Sequence, residues 1–131
     1  MASAISDGIV RLHAQYYGRG PTKARTFLRD DYALTLLEDV FTTAERTLIR
    51  SGRGGHVQST RLAFQDLMRE EFVGVVERVT GRTVRAFMSS IHVDPEIAME
   101  VFLFEPPDGH EDTPSEGEAP PGPGGSMNDP S

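Results

Sequence analysis

Apolar side chains recur at helical spacing in three stretches of the chain and at alternate positions in four others, and these two periods set the elements to expect. Ile5, Ile9, Leu12 and Tyr16 stand at i, i+4, i+7 and i+11, the spacing of one helix face, so residues 3–17 should form an amphipathic helix. Ser3 or Ser6 can cap its start, Gly18 should end it in a left-handed conformation, and Pro21 prevents its resumption. Residues 22–30 and 32–40 read as two strands joined at Asp30-Asp31. With that turn, Phe27 faces Leu34 and Leu28 faces Ala33. One side of the hairpin then carries Arg25, Phe27, Arg29, Tyr32, Leu34 and Leu36, the other Ala24, Thr26, Leu28, Ala33, Thr35 and Leu37. Neither side is cleanly polar, which suits a sheet packed on helices on one face and covered by a partner on the other.

Thr42-Thr43-Ala44-Glu45 has the capping-box spacing and should open a helix over residues 43–50 with Leu48 and Ile49 facing inward. A longer helix over 57–79 is marked by Phe64, Met68, Phe72 and Val76, with Val57, Leu67, Val75 and Val79 widening the stripe. Arg61, Gln65, Arg69 and Glu70 are expected on its solvated side. Gly81 ends it. Residues 83–93 and 97–104 then form a second hairpin around Asp94-Pro95. Its last strand is apolar on both faces and should lie at the centre of the sheet or at an interface. The order α-β-β-α-α-β-β predicts an α+β two-layer sandwich with a mainly antiparallel four-stranded sheet.

Charge divides the chain. All 13 Lys and Arg lie between Arg11 and Arg85, whereas residues 106–131 hold six of the 20 acids and no cation. Residues 1–105 are thus expected to be one domain of nearly balanced charge. Residues 106–131, rich in Pro and Gly, form an acidic tail expected to be disordered, because it has almost nothing apolar to bury. The absence of cysteine excludes disulfides and thiolate chemistry and suits a cytoplasmic protein. No apolar run approaches the ~20 residues of a membrane span, and no signal peptide is recognisable.

Chemistry concentrates in Tyr16 to Arg25, where two aromatics, a Gly-Arg-Gly-Pro turn and several cations follow one another. This turn follows a helix and precedes a strand, the reverse of a nucleotide-binding glycine loop. Its backbone N–H groups beside Arg19, Gly20, Lys23 and Arg25 make a candidate anion site, and the plain reading is a helix stop with solvated cations. Gly52, Arg53, Gly54 and Gly55 spell the Gly-x-x-Gly loop with which KH domains clamp a nucleic-acid backbone, a candidate that balanced charge and an acidic tail disfavour. His13, His56, His92 and His110 are scattered. Ser90 and His92 share a strand face without an orienting carboxylate, and no catalytic residue, metal ligand or cofactor site is expected.

Tyr17-Gly18-Arg19-Gly20-Pro21, the following strands, Leu37 to Glu45, and the Arg69-Glu70-Glu71-Phe72 helix resemble the bacterial MpsC-like domain family over residues 5–105. Phe41-Thr42-Thr43 replaces the family's Leu-Thr-Pro, while Thr42 and Glu45 keep the helix start. The resemblance implies a component of a sodium-translocating, membrane-potential-generating system and brings no catalytic residues with it. The expected function is a non-enzymatic cytoplasmic domain acting through protein contacts, as a homo-oligomer (a dimer) or as an accessory to a membrane ion or bicarbonate system. A KH-like nucleic-acid or polyanion binder is the alternative.

Overall fold

A computed structural model describes residues 1–107; the predicted tail from residue 108 onward lies outside the described residues. The elements follow in the predicted order: α1 (Ala2–Tyr17), β1 (Lys23–Leu28), β2 (Tyr32–Glu38), α2 (Thr43–Arg50), α3 (Gly54–Thr80), β3 (Val84–His92) and β4 (Ile97–Phe104). Gly18 and Gly81 end α1 and α3 at φ of 84° and 70°, the left-handed geometry that a side chain would strain. Thr42 and Glu45 close the capping box at the start of α2.

The four strands form one antiparallel sheet in the order β1-β2-β4-β3, so β1 and β3 are edges and the doubly apolar β4 is central, as its sequence requires. Phe27 pairs with Leu34 and Leu28 with Ala33, the register set by the Asp30-Asp31 turn. Across the sheet the pairings build continuous rows. Leu28–Ala33–Phe102–Phe87 and Ala24–Leu37–Ala98–Ile91 lie on one face, and the helices pack there: Ile5, Ile9, Met68, Phe72 and Val76 share a single cluster with these residues.

α1 and α3 run antiparallel across this layer. Gly8 meets Val75, His13 packs on Phe72, and Tyr17 packs on Phe64 and Arg61. At Gly8 the helices come so close that an added Cβ would stand 2.6 Å from Val75 Cγ1.

Several expectations from the sequence need correction. Arg61 and Gln65 are not on the solvated side of α3; they are 0% and 2% exposed. Leu67 stands outside the stripe at 79% exposed, and Leu48 is also exposed. Tyr17, rather than Tyr16, turns inward, and His13 is fully buried. The buried stripe of α3 keeps the expected Val57, Met68, Phe72, Val75 and Val76 and is completed at its N-terminal half by Arg61 and Gln65.

Candidate functional site

Strand alternation sends every second residue to the face opposite the helices. Three rows cross that face: Phe27–Leu34–Val101–Met88, Arg25–Leu36–Met99–Ser90 and Lys23–Glu38–Ile97–His92. Beyond the first, Tyr32, Leu103 and Ala86 continue the apolar end. Leu34, Leu36, Met99, Val101 and Leu103 are half-buried by one another, and Met88 is exposed. Among the described residues no helix covers this face. The surface grades from wholly apolar at the Tyr32–Leu103 end to charged at the Lys23–Glu38 end. An apolar sheet face of this extent is the strongest interaction feature of the molecule.

The turn after α1 has a different structure from an open anion cradle. Arg19 points back across the molecule, and its Nη1 donates to the carbonyls of Asp39 (2.9 Å) and Phe41 (2.8 Å) while Nη2 reaches Asp39 Oδ2 (3.2 Å). Gly20 lies under α1, where an added Cβ would meet Val10 Cγ1 at 3.1 Å and Val10 O at 3.2 Å; close approach, rather than a positive φ, demands glycine. Lys23 and Arg25 are exposed on the edge strand β1. They line a cleft of about 490 Å³ with Thr22, Ala24, Leu36 and Glu38, and Arg25 lies over the Phe27 ring. Of the four candidate anion ligands, Lys23 and Arg25 share this cleft, while Arg19 and Gly20 serve the corner.

Asp39, at a left-handed φ of 58°, is the hub of that corner. Hydrogen bonds from Thr22, then from Arg19 and Arg46, hold its carboxyl below the usual carboxylate range. Arg46 also donates to Glu96 (Nε to Oε2, 2.7 Å), which holds the Glu96 carboxyl low, and Glu96 Oε1 accepts from the Phe41 backbone N–H at 3.2 Å. The network thus ties the α1–β1, β2–α2 and β3–β4 connections together.

Gly52 to Gly55 form the exposed α2–α3 junction. Gly52 has φ of 85°, Arg53 occupies the N-cap position of α3, and a shallow depression of about 420 Å³ is lined by Gly52, Arg53, Gly55, His56 and Ser59. Ser90 and His92 lie on the open sheet face, with His92 Nδ1 hydrogen-bonded to the Pro95 carbonyl. Among the described residues no group of three or more His, Cys, Asp or Glu is placed to hold a metal ion.

The sequence reading missed a set of polar side chains inside the core. Arg61 binds Glu45 through Nε and Nη2, both at 2.7 Å, and donates to the Val40 carbonyl at 2.7 Å; its guanidinium carbon lies 3.6 Å from the Tyr17 ring centroid. Burial pushes the Tyr17 phenol up to about 12, against the opposing pull of Arg61. Burial also works to raise Glu45, but Arg61 and the Thr42 backbone outweigh it and hold that carboxyl low. Glu100 on β4 is 0% exposed. Alternation from Ala98 to Phe102 would have placed Glu100 inside; its residue type argued the other way.

A sequence profile of the family described as Na+-translocating membrane potential-generating system (MpsC) matches residues 1–106. The chain is 26% identical over 104 residues to the uncharacterized protein YrhF of Bacillus subtilis, covering 77% of this chain and 84% of that one. No solved structure matches.

Proposed function

Because the chain belongs to the MpsC family, we propose that it is a non-catalytic, cytoplasmic accessory component that works by protein contact through the open face of its sheet. The family description supports a place beside a membrane-potential-related system. Among the described residues no helix is long and apolar enough to cross a membrane.

One observation carries the reading. The unbroken apolar row Phe27–Leu34–Val101–Met88, with Tyr32, Leu103 and Ala86 beside it, is left uncovered by the helices. The occupant proposed is a second copy of the same face. Four strands about 4.8 Å apart and seven residues of about 3.3 Å rise give roughly 440 Å² of plan area per copy. Two such faces, with their side chains, approach the ~1,000 Å² that a specific interface should clear. In a two-fold arrangement each copy presents the same residues to the other. The charged row supplies both signs, Lys23 and Glu38, so it can pair with itself at the rim.

Light scattering at about 50 μM, a range suited to modest dimers, should give the mass of a dimer. Val101→Glu places a charge at the centre of the face without touching the helix-covered core, and should give a monomer with an unchanged circular dichroism spectrum. A wild-type monomer under these conditions removes the homodimer reading.

A further inference from the structure

The two edges of the sheet differ in how their outward backbone groups are met. On β3 the side chains of α3 cap them. Gln58 Nε2 donates to the Ile91 carbonyl (3.1 Å), Arg69 Nη1 donates to the Phe87 carbonyl (3.2 Å), and the Val84 N–H donates to Glu77 Oε2 (2.8 Å). On β1 no such guard exists among the described residues. The Arg29 N–H bonds the Tyr32 carbonyl, so alternation turns Arg25 and Phe27 toward β2 and sends the N–H and C=O of Ala24, Thr26 and Leu28 to the open edge. Of these six groups only the Leu28 carbonyl has a partner among the described residues, the exposed Arg29 guanidinium at 3.2 Å. An edge left open in this way is a template for another strand. Clefts border it on both faces of the sheet. One of about 440 Å³ lies between β1 and Ser3, Ser6, Asp7 and Val10 of α1, and the one of about 490 Å³ holds Lys23 and Arg25.

Charge decides what can enter. Lys23, Arg25 and Arg29 are all exposed, and no acid stands between them in the chain. A second β1 paired antiparallel about Thr26 would set each Lys23 against an Arg29. The same cations therefore repel a second copy and attract an acidic strand.

An acidic segment is within reach. The Phe104 N–H bonds the Asp31 carbonyl at 3.0 Å, and Arg82 joins the carbonyls of Asp30 and Glu105, so the chain leaves β4 beside the β1–β2 turn. The position beyond β1 lies three strand spacings from β4, about 14 Å, and six residues from Glu105 to Glu111 span up to about 20 Å. Residues 108–118 hold five acids and no Lys or Arg.

We propose that residues 111–116 of the acidic tail add to β1 as an antiparallel fifth strand and close the open edge of the sheet. Pro114 has no N–H and must stand where that group would face away from β1, so Glu111, Thr113 and Ser115 carry the bonds to Leu28, Thr26 and Ala24. Asp112 and Glu116 then fall on the face of Arg25 and Lys23, with Glu116 directly opposite Lys23. Strand addition draws on backbone bonds and charge, so it requires no apolar side chain in the tail. It leaves the open face of the sheet free and does not rest on the dimer reading.

The test is amide hydrogen exchange of Ala24, Thr26 and Leu28, followed by NMR in the full chain at low salt. Thr113→Pro with Ser115→Pro removes two of the tail's donors and leaves every charge in place. The three amides should exchange about tenfold more slowly in the wild type than in this variant, the protection given by a docked-to-free ratio of ~10. The amides of Arg25 and Phe27, bonded to β2, should exchange alike in both. Asp112→Asn with Glu116→Gln should remove part of the protection, as should ~0.5 M salt on the wild type. Equal rates in the wild type and the double-proline variant overturn the proposal. So does protection that rises between ~20 and ~200 μM protein, because a strand supplied by another molecule depends on concentration and one supplied by the same chain does not.

Discussion

At the scale of single residues, side chains that look solvated in the sequence are set to work by geometry. Arg19 follows a helix-ending glycine in a cationic stretch, yet its planar fork spans two backbone carbonyls and one carboxylate on the far side of the corner. Hydrogen bonds from a charged donor contribute about 1.5–3 kcal/mol when sheltered, and less where, as here, the side chain keeps about a third of its surface in water. Arg19→Ala should therefore cost about 1–2 kcal/mol in urea unfolding. Arg19→Lys should recover less than half of that, because an ammonium cannot place two donors in the same plane. A loss below ~0.5 kcal/mol, the usual size for a surface change, would return Arg19 to a free cation.

At the scale of elements, α2 shows why a short helix holds its place. It has eight residues, none of them buried, and its apolar side chains are too few to dock it alone. Its first turn is fixed twice by Glu45, which closes the capping box with Thr42 and grips the buried Arg61 of α3. The two roles differ in size. Thr42→Ala removes a cap and should cost about 1 kcal/mol. Glu45→Ala also strands a fully buried guanidinium and should cost about 3–5 kcal/mol. Equal losses in urea unfolding would mean that Arg61 finds another partner. The capping box was legible from Thr42 and Glu45 because it depends on local spacing alone. The ion pair was not, since it joins residues 45 and 61 across a loop. Likewise, the periods of α1 and the four strands, the Asp30-Asp31 register and the central place of β4 could be read directly. The polar half of the α3 stripe could not, because Arg61 and Gln65 sit at core spacing in residue types that ordinarily face water. Glu100 was hidden for the same reason.

At the scale of the whole molecule, the Arg19–Asp39–Arg46–Glu96 network joins three connections at one end of the sheet, and its carboxylates make stability depend on pH. Both carboxyls are held below their ordinary range, Asp39 by Thr22, Arg19 and Arg46 and Glu96 chiefly by Arg46. An unfolded carboxyl titrates near 4. A group whose folded value is lower binds its proton more readily when unfolded, so its stabilisation is complete above the unfolded value and is lost as pH falls through the folded one. Between pH ~7 and ~5 the unfolding free energy should stay nearly level as far as these groups are concerned, and below ~4 it should fall. Arg46→Gln removes the cation that Asp39 and Glu96 share, so both carboxyls should move back toward their ordinary values. The variant should be less stable at neutral pH and should show a shallower acid decline than the wild type, read by urea titrations at a series of pH values. Two curves that remain parallel down to pH ~3 would show that Arg46 carries none of the acid dependence.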